Sequence, residues 1–188
     1  MGRLLFSAIA SLDGYTADSE GTFGWAAPDE EVHAFINDRE RETGTALYGR
    51  RMYETMRVWQ ELPGPDDPPV IADYARIWRD TDKVVFSSTL DAVTTPRTRL
   101  EPVFDPVAVR SLVDDSSADV SIGGPTLAAA ALRAGLVDEV SLFVVPVSVG
   151  GGTPALPRAT FLRLDLVEER TFTSSVVLLR YRVSGSAR

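Results

Sequence analysis

Three short segments carry the residue types that bind a phosphorylated ligand such as a dinucleotide, and each follows a short apolar or β-branched run. Glycine lets the backbone approach phosphate oxygens closely, and the amino end of a helix offers free N–H groups to an anion. Arginine adds a guanidinium fork for a terminal phosphate. The predicted cofactor-binding residues are Gly49, Arg50 and Arg51 in the first segment, Ser87 and Ser88 in the second, and Gly123, Gly124, Pro125 and Thr126 in the third.

Three acidic residues and a tryptophan are the candidates for chemistry beside that ligand. Asp13 follows the first apolar run and precedes Gly14, where an Asx-turn is the alternative reading. Glu30 opens a predicted helix, so the helix dipole alone would explain it, but in an apolar pocket it could relay a proton. Asp29 is an equally possible register for this acid, and Trp25 is either a core anchor or a pocket wall. We predict Asp13 and Glu30 as catalytic residues and Trp25 and Asp29 as substrate-binding residues.

The composition argues against several other kinds of site. The chain has no cysteine, which excludes disulfides and thiol catalysis and suits a reducing cytoplasm, where we expect the protein. Its single histidine, His33, lies on the polar side of a predicted helix and is expected at the surface. With one histidine, no cysteine and scattered acids, we expect no metal site.

Charge and hydropathy narrow the range of partners. The net charge is −8, from 27 acidic and 19 basic residues, which is the opposite of what a nonspecific nucleic-acid binder needs. The apolar runs are far shorter than a membrane span, and the first residues read as a strand rather than a signal peptide. We therefore expect a small-molecule substrate and neither nucleic acid nor membrane as a partner.

The segments that must position these residues alternate between strand and helix patterns along one domain, residues 1–188. This order predicts an α/β fold with a mostly parallel central sheet flanked by helices and an antiparallel C-terminal hairpin. A ligand then belongs at the carboxyl ends of the strands, where the three segments and Asp13 are expected to converge. The predicted strands are 3–10, 45–48, 83–87, 119–122, 138–149, 164–172 and 176–183, and the helices run from 28 to Gly44, 50–59, 71–79, 106–114 and 126–134.

With these elements in place, the chain resembles the dihydrofolate reductase-like superfamily, including the reductase domain of the bifunctional riboflavin-biosynthesis deaminase-reductases. The matching motifs are Ser11-Leu12-Asp13-Gly14, Gly49-Arg50, Ser87-Ser88 and Ile122-Gly123-Gly124. The resemblance implies a dihydrofolate reductase-like fold, NADPH as cofactor, and hydride transfer to a small heterocycle that is pterin-like or flavin-precursor-like. It also implies a cis Gly123–Gly124 peptide at the pyrophosphate. Because related reductases often pair and Val176–Leu179 is strongly apolar, we expect a homodimer.

Two departures leave the substrate open. Folate reductases carry an arginine for the folate glutamate tail where this chain has Thr81, so we do not expect efficient reduction of dihydrofolate. The riboflavin branch follows its second strand with a Gly-Thr-type turn, whereas this chain has Gly49-Arg50-Arg51. The alternatives are a riboflavin-pathway pyrimidine reductase and a nucleotide-binding protein of the same fold without turnover.

Overall fold

The computed structural model describes residues 1–186, with Ser186 described by its backbone alone. Strands and helices alternate through the first two thirds of the chain, and strands follow. The strands are β1 (Leu4–Ser11), β2 (Tyr15–Ala17), β3 (Thr43–Gly49), β4 (Asp82–Phe86), β5 (Thr98–Glu101), β6 (Asp119–Gly123), β7 (Glu139–Val145), β8 (Thr153–Pro154), β9 (Leu162–Thr171) and β10 (Val177–Ser186). The α-helices are α1 (Glu30–Glu40), α2 (Arg50–Met56), α3 (Pro69–Asp80), α4 (Pro106–Asp115) and α5 (Pro125–Arg133), with 3-10 helices at Gly24–Ala26 and Arg57–Gln60.

Eight strands form one sheet in the order β5-β4-β3-β6-β1-β7-β10-β9, and β2 pairs with β8 separately. The first six strands of the sheet are parallel, and β10 and β9 complete it in antiparallel pairing. The predicted α/β architecture and the antiparallel C-terminal hairpin are therefore confirmed. A parallel sheet needs cover on both faces, which explains why helices separate its strands along the chain.

The two faces of the central strand β1 belong to different layers. Leu4 and Phe6 are buried in the main core, together with side chains of α4 and α5. Ile9 points to the opposite face, where it packs with α1 residues such as Val32. Ser7 shares that second face and is exposed although β1 is hydrogen-bonded to strands on both sides. The middle of the sheet is therefore open to solvent at Ser7, on the side that carries α1, α2 and α3, and we call this opening the cleft.

Several predicted boundaries were wrong for local reasons. The first helix ends at Glu40, and Gly44 lies in β3 at a register shift between Thr43 and Thr45. The long strand predicted at 138–149 corresponds to β7, which ends at Val145 because Pro146 has no N–H to continue the hydrogen-bond ladder. The sequence also gave no sign of β5, β2 and β8, because two to four polar or mixed residues carry no readable alternation.

The C-terminal strand does not supply the apolar surface expected for a dimer. β10 lies between β7 and β9, and its neighbourhood buries Val176 and Leu178 inside the chain. Exposed apolar side chains in this part of the chain include Leu166 and Val167 on the edge strand β9 and Phe161 just before it. No helix within residues 1–186 has the length and apolar character required to cross a membrane.

Candidate functional site

The three predicted cofactor segments lie at the carboxyl ends of neighbouring strands. In the register of the sheet, Gly49 of β3 stands beside Phe86 of β4, and Tyr48 of β3 stands beside Gly123 of β6. Adjacent strands are separated by about 4.8 Å, so the three segments fit within about 10 Å across the sheet edge. The tertiary structure thus brings together segments whose outermost residues, Gly49 and Thr126, are seventy-seven positions apart in the chain.

Glycine is required at both positions of the β6–α5 turn. A Cβ at Gly123 would lie 2.8 Å from the Tyr48 ring, and one at Gly124 would lie 3.1 Å from the Cβ of Met52. Gly124 has φ = 87° and is the N-cap of α5, with its carbonyl accepting from the Ala128 amide at 3.0 Å. The predicted cis Gly123–Gly124 bond is wrong: this peptide is trans. The positive φ of Gly124 turns the chain into α5 instead.

Arg50 and Arg51 are the first two residues of α2, and both side chains are exposed. A guanidinium nitrogen of Arg50 lies 3.7 Å from a carboxylate oxygen of Glu54, one turn along the helix. Water screens an ion pair between such exposed side chains, so it restrains Arg50 only weakly. Pro125 occupies the first position of α5 and Thr126 is exposed beside it. Arg50 and Arg51 are consequently accessible to an anionic ligand.

The two serines after β4 have different tasks. The Ser87 hydroxyl oxygen accepts from the Thr89 amide at 3.2 Å and the Leu90 amide at 3.1 Å, which closes a local turn. The Ser87 amide donates to the Glu101 carbonyl of β5 at 2.9 Å. Ser88 is exposed at the tip of this turn. The geometry therefore leaves Ser88 as the more available hydroxyl and gives Ser87 the task of shaping the turn.

Asp13 holds one loop against another. Its carboxylate accepts from the amide of Val149 at 3.1 Å and from that of Gly150 at 2.7 Å. A hydrogen bond from the Ser11 hydroxyl, together with these amides, keeps the pKa of Asp13 well below its usual value. A carboxylate that stays ionised and is already occupied by two amides is poorly suited to deliver a proton at neutral pH. This geometry favours a positioning role for Asp13 over a proton relay.

Three acids occupy the start of α1, and two of them are used by the fold. Asp29 is the N-cap residue and accepts from the Val32 amide at 2.9 Å. Glu31 accepts from the Thr173 amide at 2.9 Å and from the Thr173 hydroxyl, which ties α1 to the β9–β10 hairpin. Glu30, by contrast, is exposed and forms no ion pair with any residue in the range 1–186. Glu30 is therefore the acid that remains available to a ligand.

Trp25 lies five residues before Glu30, in the 3-10 helix Gly24–Ala26. Its ring packs against the core cluster that contains Val32 and Phe143. The indole N–H is buried and has no hydrogen-bond partner among the described residues. An unpaired buried donor costs about 1–3 kcal/mol, so a bound ligand or an ordered water is expected to accept from it. The indole therefore acts both as a core anchor and as an unused donor near the start of α1.

Comparison with known proteins identifies the family. A family model described as the RibD C-terminal domain matches residues 3–178. The chain belongs to the RibD C-terminal domain family. A Bacillus subtilis (strain 168) protein called uncharacterized protein YyaP is 27% identical over 187 residues, covering 97% of this chain and 96% of that protein.

Solved structures show the same fold. A putative riboflavin biosynthesis protein from Shewanella sp. PV-4 superimposes with a TM-score of 0.75 at 18% identity, covering 98% of this chain and all of that one. Dihydrofolate reductase from Enterococcus faecalis, complexed with NADP(H) and RAB-propyl, gives 0.64 at 14% identity and covers 98% of each chain. The predicted dihydrofolate reductase-like fold is thus confirmed.

In this RibD C-terminal domain, His33 is not the surface residue that the sequence predicts. Its side chain is 8% exposed, and its Nδ1 lies 2.9 Å from the Oδ1 of Asn37. The ring also makes edge-on contacts with Trp59 and Tyr74 from two other elements. The helical spacing of His33 and Asn37 was the available sequence signal, but their aromatic partners lie 26 and 41 positions away from His33.

Two surface cavities lie outside the cluster of predicted residues. One of about 580 Å³ is at the amino ends of β3, β4 and β5 and includes Lys83, Arg97 and Asp115 in its lining. Another of about 530 Å³ lies between α2, the following 3-10 helix and residues 94–95. We assign the candidate site to the edge where the three segments converge. Both cavities are open surface depressions, and neither is lined by a predicted site residue. Within residues 1–186, no group of three potential ligands could hold a metal ion.

Proposed function

We propose that this protein is an NADPH-dependent reductase that transfers a hydride to a small heterocycle of the pterin or flavin-precursor type. One juxtaposition carries the proposal. The three predicted cofactor segments share the carboxyl edge of β4, β3 and β6. Beyond β1, Trp25 packs against the cluster that contains Phe143 of β7, and Glu30 is the first residue of the helix α1 that follows it. Exposed Ser7 marks the open floor between these two groups.

The residues on the cofactor side fit a phosphorylated dinucleotide. The Gly123–Gly124 turn offers backbone without a side chain, in a space that a Cβ would fill. Arg50, with Arg51 beside it, offers a guanidinium group to the 2′-phosphate that distinguishes NADPH from NADH. Ser88 adds an exposed hydroxyl on the neighbouring strand end. NADPH, when bound, supplies the hydride, and the chain supplies position and electrostatics.

The residues on the substrate side fit a heterocycle with ring nitrogens and carbonyl groups. The buried Trp25 N–H can donate to a ring acceptor, and in doing so gains the partner that it lacks among residues 1–186. Glu30 can accept from a ring N–H or an amino group and hold a proton near the atom that is reduced. Asp29 keeps Glu30 in place by capping the same helix, and Asp13 fixes the loop beside the site.

Nothing in the expected position binds the glutamate tail of folate. The Thr81 hydroxyl donates to the Ile77 carbonyl at 2.8 Å, and the nearby Arg79 donates to the Leu62 carbonyl at 2.8 Å. One missing charged partner costs about 1.5–3 kcal/mol, or one to two decades in affinity. We therefore expect kcat/KM for dihydrofolate to fall below the ordinary enzyme range, under roughly 10⁴ M⁻¹s⁻¹.

We further propose that the protein works in the cytoplasm as a homodimer. A chain without cysteine suits a reducing compartment. The exposed Leu166 and Val167 on edge strand β9 supply apolar surface for a two-fold contact, in place of the buried residues of β10. Light scattering at micromolar concentration tests this part, and a monomeric mass would refute the dimer.

The decisive experiment measures NADPH binding by calorimetry and then NADPH oxidation with a panel of dihydropterins, flavin precursors and phosphoribosylamino-pyrimidines. Steady oxidation with a non-phosphorylated heterocycle supports the proposal. Preference for the phosphoribosylamino-pyrimidine would instead identify a riboflavin-pathway reductase. Tight NADPH binding without oxidation across the panel would identify a nucleotide-binding protein without turnover, and absence of NADPH binding would refute the cofactor assignment.

A further inference from the structure

An aromatic cluster joins the two walls of the cleft about one helical turn below the carboxyl edge. It consists of His33 on α1, Trp59 in the 3-10 helix that follows α2, and Tyr74 on α3. The ring centroids are 5.8 Å apart for His33 and Trp59, 5.5 Å for His33 and Tyr74, and 4.5 Å for Trp59 and Tyr74. We call these three residues the aromatic plug.

The three rings of the plug are in direct contact with one another. Centroid separations of about 4.5–7 Å are those of aromatic rings in direct contact. His33 lies three residues after Glu30, on the same side of α1 and roughly 4.5 Å further along the helix axis. A ligand that reaches Glu30 from the open edge therefore meets the plug immediately behind that carboxylate.

Hydrogen bonds hold the plug in one orientation. The Asn37 amide nitrogen donates to the Val70 carbonyl at 3.0 Å and to Asp73 at 2.8 Å. These two acceptors fix the Asn37 amide so that its oxygen faces His33, and the Nδ1 of His33 must then be the protonated nitrogen that donates. The histidine ring is thereby anchored to α3 through a side chain that cannot turn over without losing two bonds.

Asp73, which accepts a hydrogen bond from Asn37, also forms ion pairs with two arginines. Arg41 donates twice to the Asp73 carboxylate, at 3.0 and 2.6 Å, and Arg76 donates at 2.8 Å. These bonds, that from Arg41 above all, keep the pKa of Asp73 well below its usual value, so the carboxylate stays ionised at neutral pH. Since α1 and α3 are tied at this point, the plug is a fixed wall and not a gate that swings with substrate.

We propose that the aromatic plug sets the length of the substrate: it closes the cleft behind Glu30 and admits a compact heterocycle while excluding one that carries an extended substituent on that side. This inference rests on the proposed function and adds His33 and Trp59 as specificity-determining residues. The absence of an arginine at position 81 weakens the binding of a long substrate by lost attraction, whereas the plug excludes that substrate by volume. Substitutions in the plug separate the two effects because they leave Thr81 unchanged.

The test compares two probes with the same ring system, a methyl-dihydropterin and dihydrofolate, titrated by calorimetry into protein loaded with NADPH. The wild-type protein is expected to bind the methyl-dihydropterin more tightly. In Trp59→Ala, which removes the plug from the α2 side, the preference for the compact probe should fall by about tenfold or more. His33→Ala removes it from the α1 side and should shift the ratio in the same direction.

Val58→Ala is the matched control, because Val58 is an exposed neighbour of Trp59 in the same 3-10 helix. It should leave the ratio unchanged, and thermal melting with NADPH titration identifies which variants keep the fold. An unchanged ratio in a folded Trp59→Ala or His33→Ala protein, or equal wild-type affinity for both probes, would overturn the plug alone. If neither probe binds to the NADPH-loaded wild-type protein, both the proposal of a pterin-like substrate and the proposed role of the plug would be overturned.

Discussion

The two sides of the candidate site differ in how many of their polar groups already form hydrogen bonds within the protein. On the side of β4, β3 and β6, Arg50, Arg51 and Ser88 are exposed, and the Gly123–Gly124 turn presents bare backbone. On the side of α1, most of the acids are already occupied by helix capping, hairpin docking or loop anchoring. A ligand therefore meets many available groups on the first side and essentially one carboxylate and one indole N–H on the second.

The acids clustered at the start of α1 are therefore not all candidates for chemistry. The start of α1 needs Asp29 as a cap and Glu31 as a tie to Thr173, whatever reaction the protein performs. Glu30 lies between them without such a task. The most informative tests therefore compare substitutions at residues that form structural hydrogen bonds with substitutions at neighbouring residues that do not.

The largest expected effect is at Glu30. Glu30→Gln keeps the shape of the side chain but removes the carboxylate, so turnover should fall by about 10²–10⁴-fold while NADPH affinity stays the same. Stopped-flow measurement of hydride transfer, with NADPH binding measured separately, checks this. Glu42→Gln, at an exposed acid just beyond the same helix, should behave as wild type. An unchanged rate in Glu30→Gln would remove the distinction between Glu30 and its neighbours.

The next largest effect is at Gly124. In Gly124→Ala the new Cβ would crowd Met52 and displace the turn, so NADPH affinity should fall by about a hundredfold, or about 2.7 kcal/mol. Gly135→Ala is the matched control: Gly135 has φ = 66°, follows the other end of α5, and has open space around its Cβ position. Both variants should lose about 1–2 kcal/mol of unfolding free energy to backbone strain. Equal NADPH affinities in the two would show that the β6–α5 turn does not contact the cofactor.

A smaller effect is expected at Arg50. Arg50→Ala should weaken NADPH binding by about ten- to a hundredfold and leave NADH binding nearly unchanged, because a charge-assisted contact to the 2′-phosphate is worth about 1.5–3 kcal/mol. Calorimetric titration with both cofactors gives the result within one protein. Equal losses for NADPH and NADH would rule out the phosphate contact.

The smallest effect is at Asp29, where the contrast predicts lost stability. Asp29→Ala removes the N-cap and should lower the unfolding free energy by about 1 kcal/mol at neutral pH. Hydrogen bonds from Ser174 and the Val32 amide lower the folded-state pKa of Asp29. The unfolded chain therefore takes up the proton first as pH falls below about 4.

The contribution of Asp29 is consequently present above that pH and lost as pH falls through the depressed folded-state pKa. Denaturant unfolding of wild type and Asp29→Ala at neutral and acidic pH tests this, with the gap expected to close in acid. A gap that is constant across the range would show that the carboxylate charge plays no part in the cap.

Sequence patterns predicted much of the fold because, in long strands and helices, the spacing of apolar residues shows which face is buried. α3, α4 and the hairpin strands lie within a few residues of their predicted bounds. The strand–glycine–helix transitions at Gly49 and Gly124 were also visible, since each combines an apolar run with a residue that ends it. Short elements such as β5 and the Gly24–Ala26 helix exist because of their neighbours and left no pattern of their own.

Sequence patterns were enough to predict the α/β class, to place the candidate ligand site at the strand ends, and to name the residues expected to converge there. Long-range contacts decide which candidates are available. Asp13, Asp29 and Glu31 accept structural hydrogen bonds, and His33 is buried against Trp59 and Tyr74. Among residues 1–186, no group accepts a hydrogen bond from the indole N–H of Trp25. The difference follows from the distance along the chain over which each kind of interaction acts. Propensity and periodicity act over a few residues, whereas hydrogen-bond partners and aromatic contacts join positions far apart in the chain, so the final use of a side chain is fixed only when those positions meet.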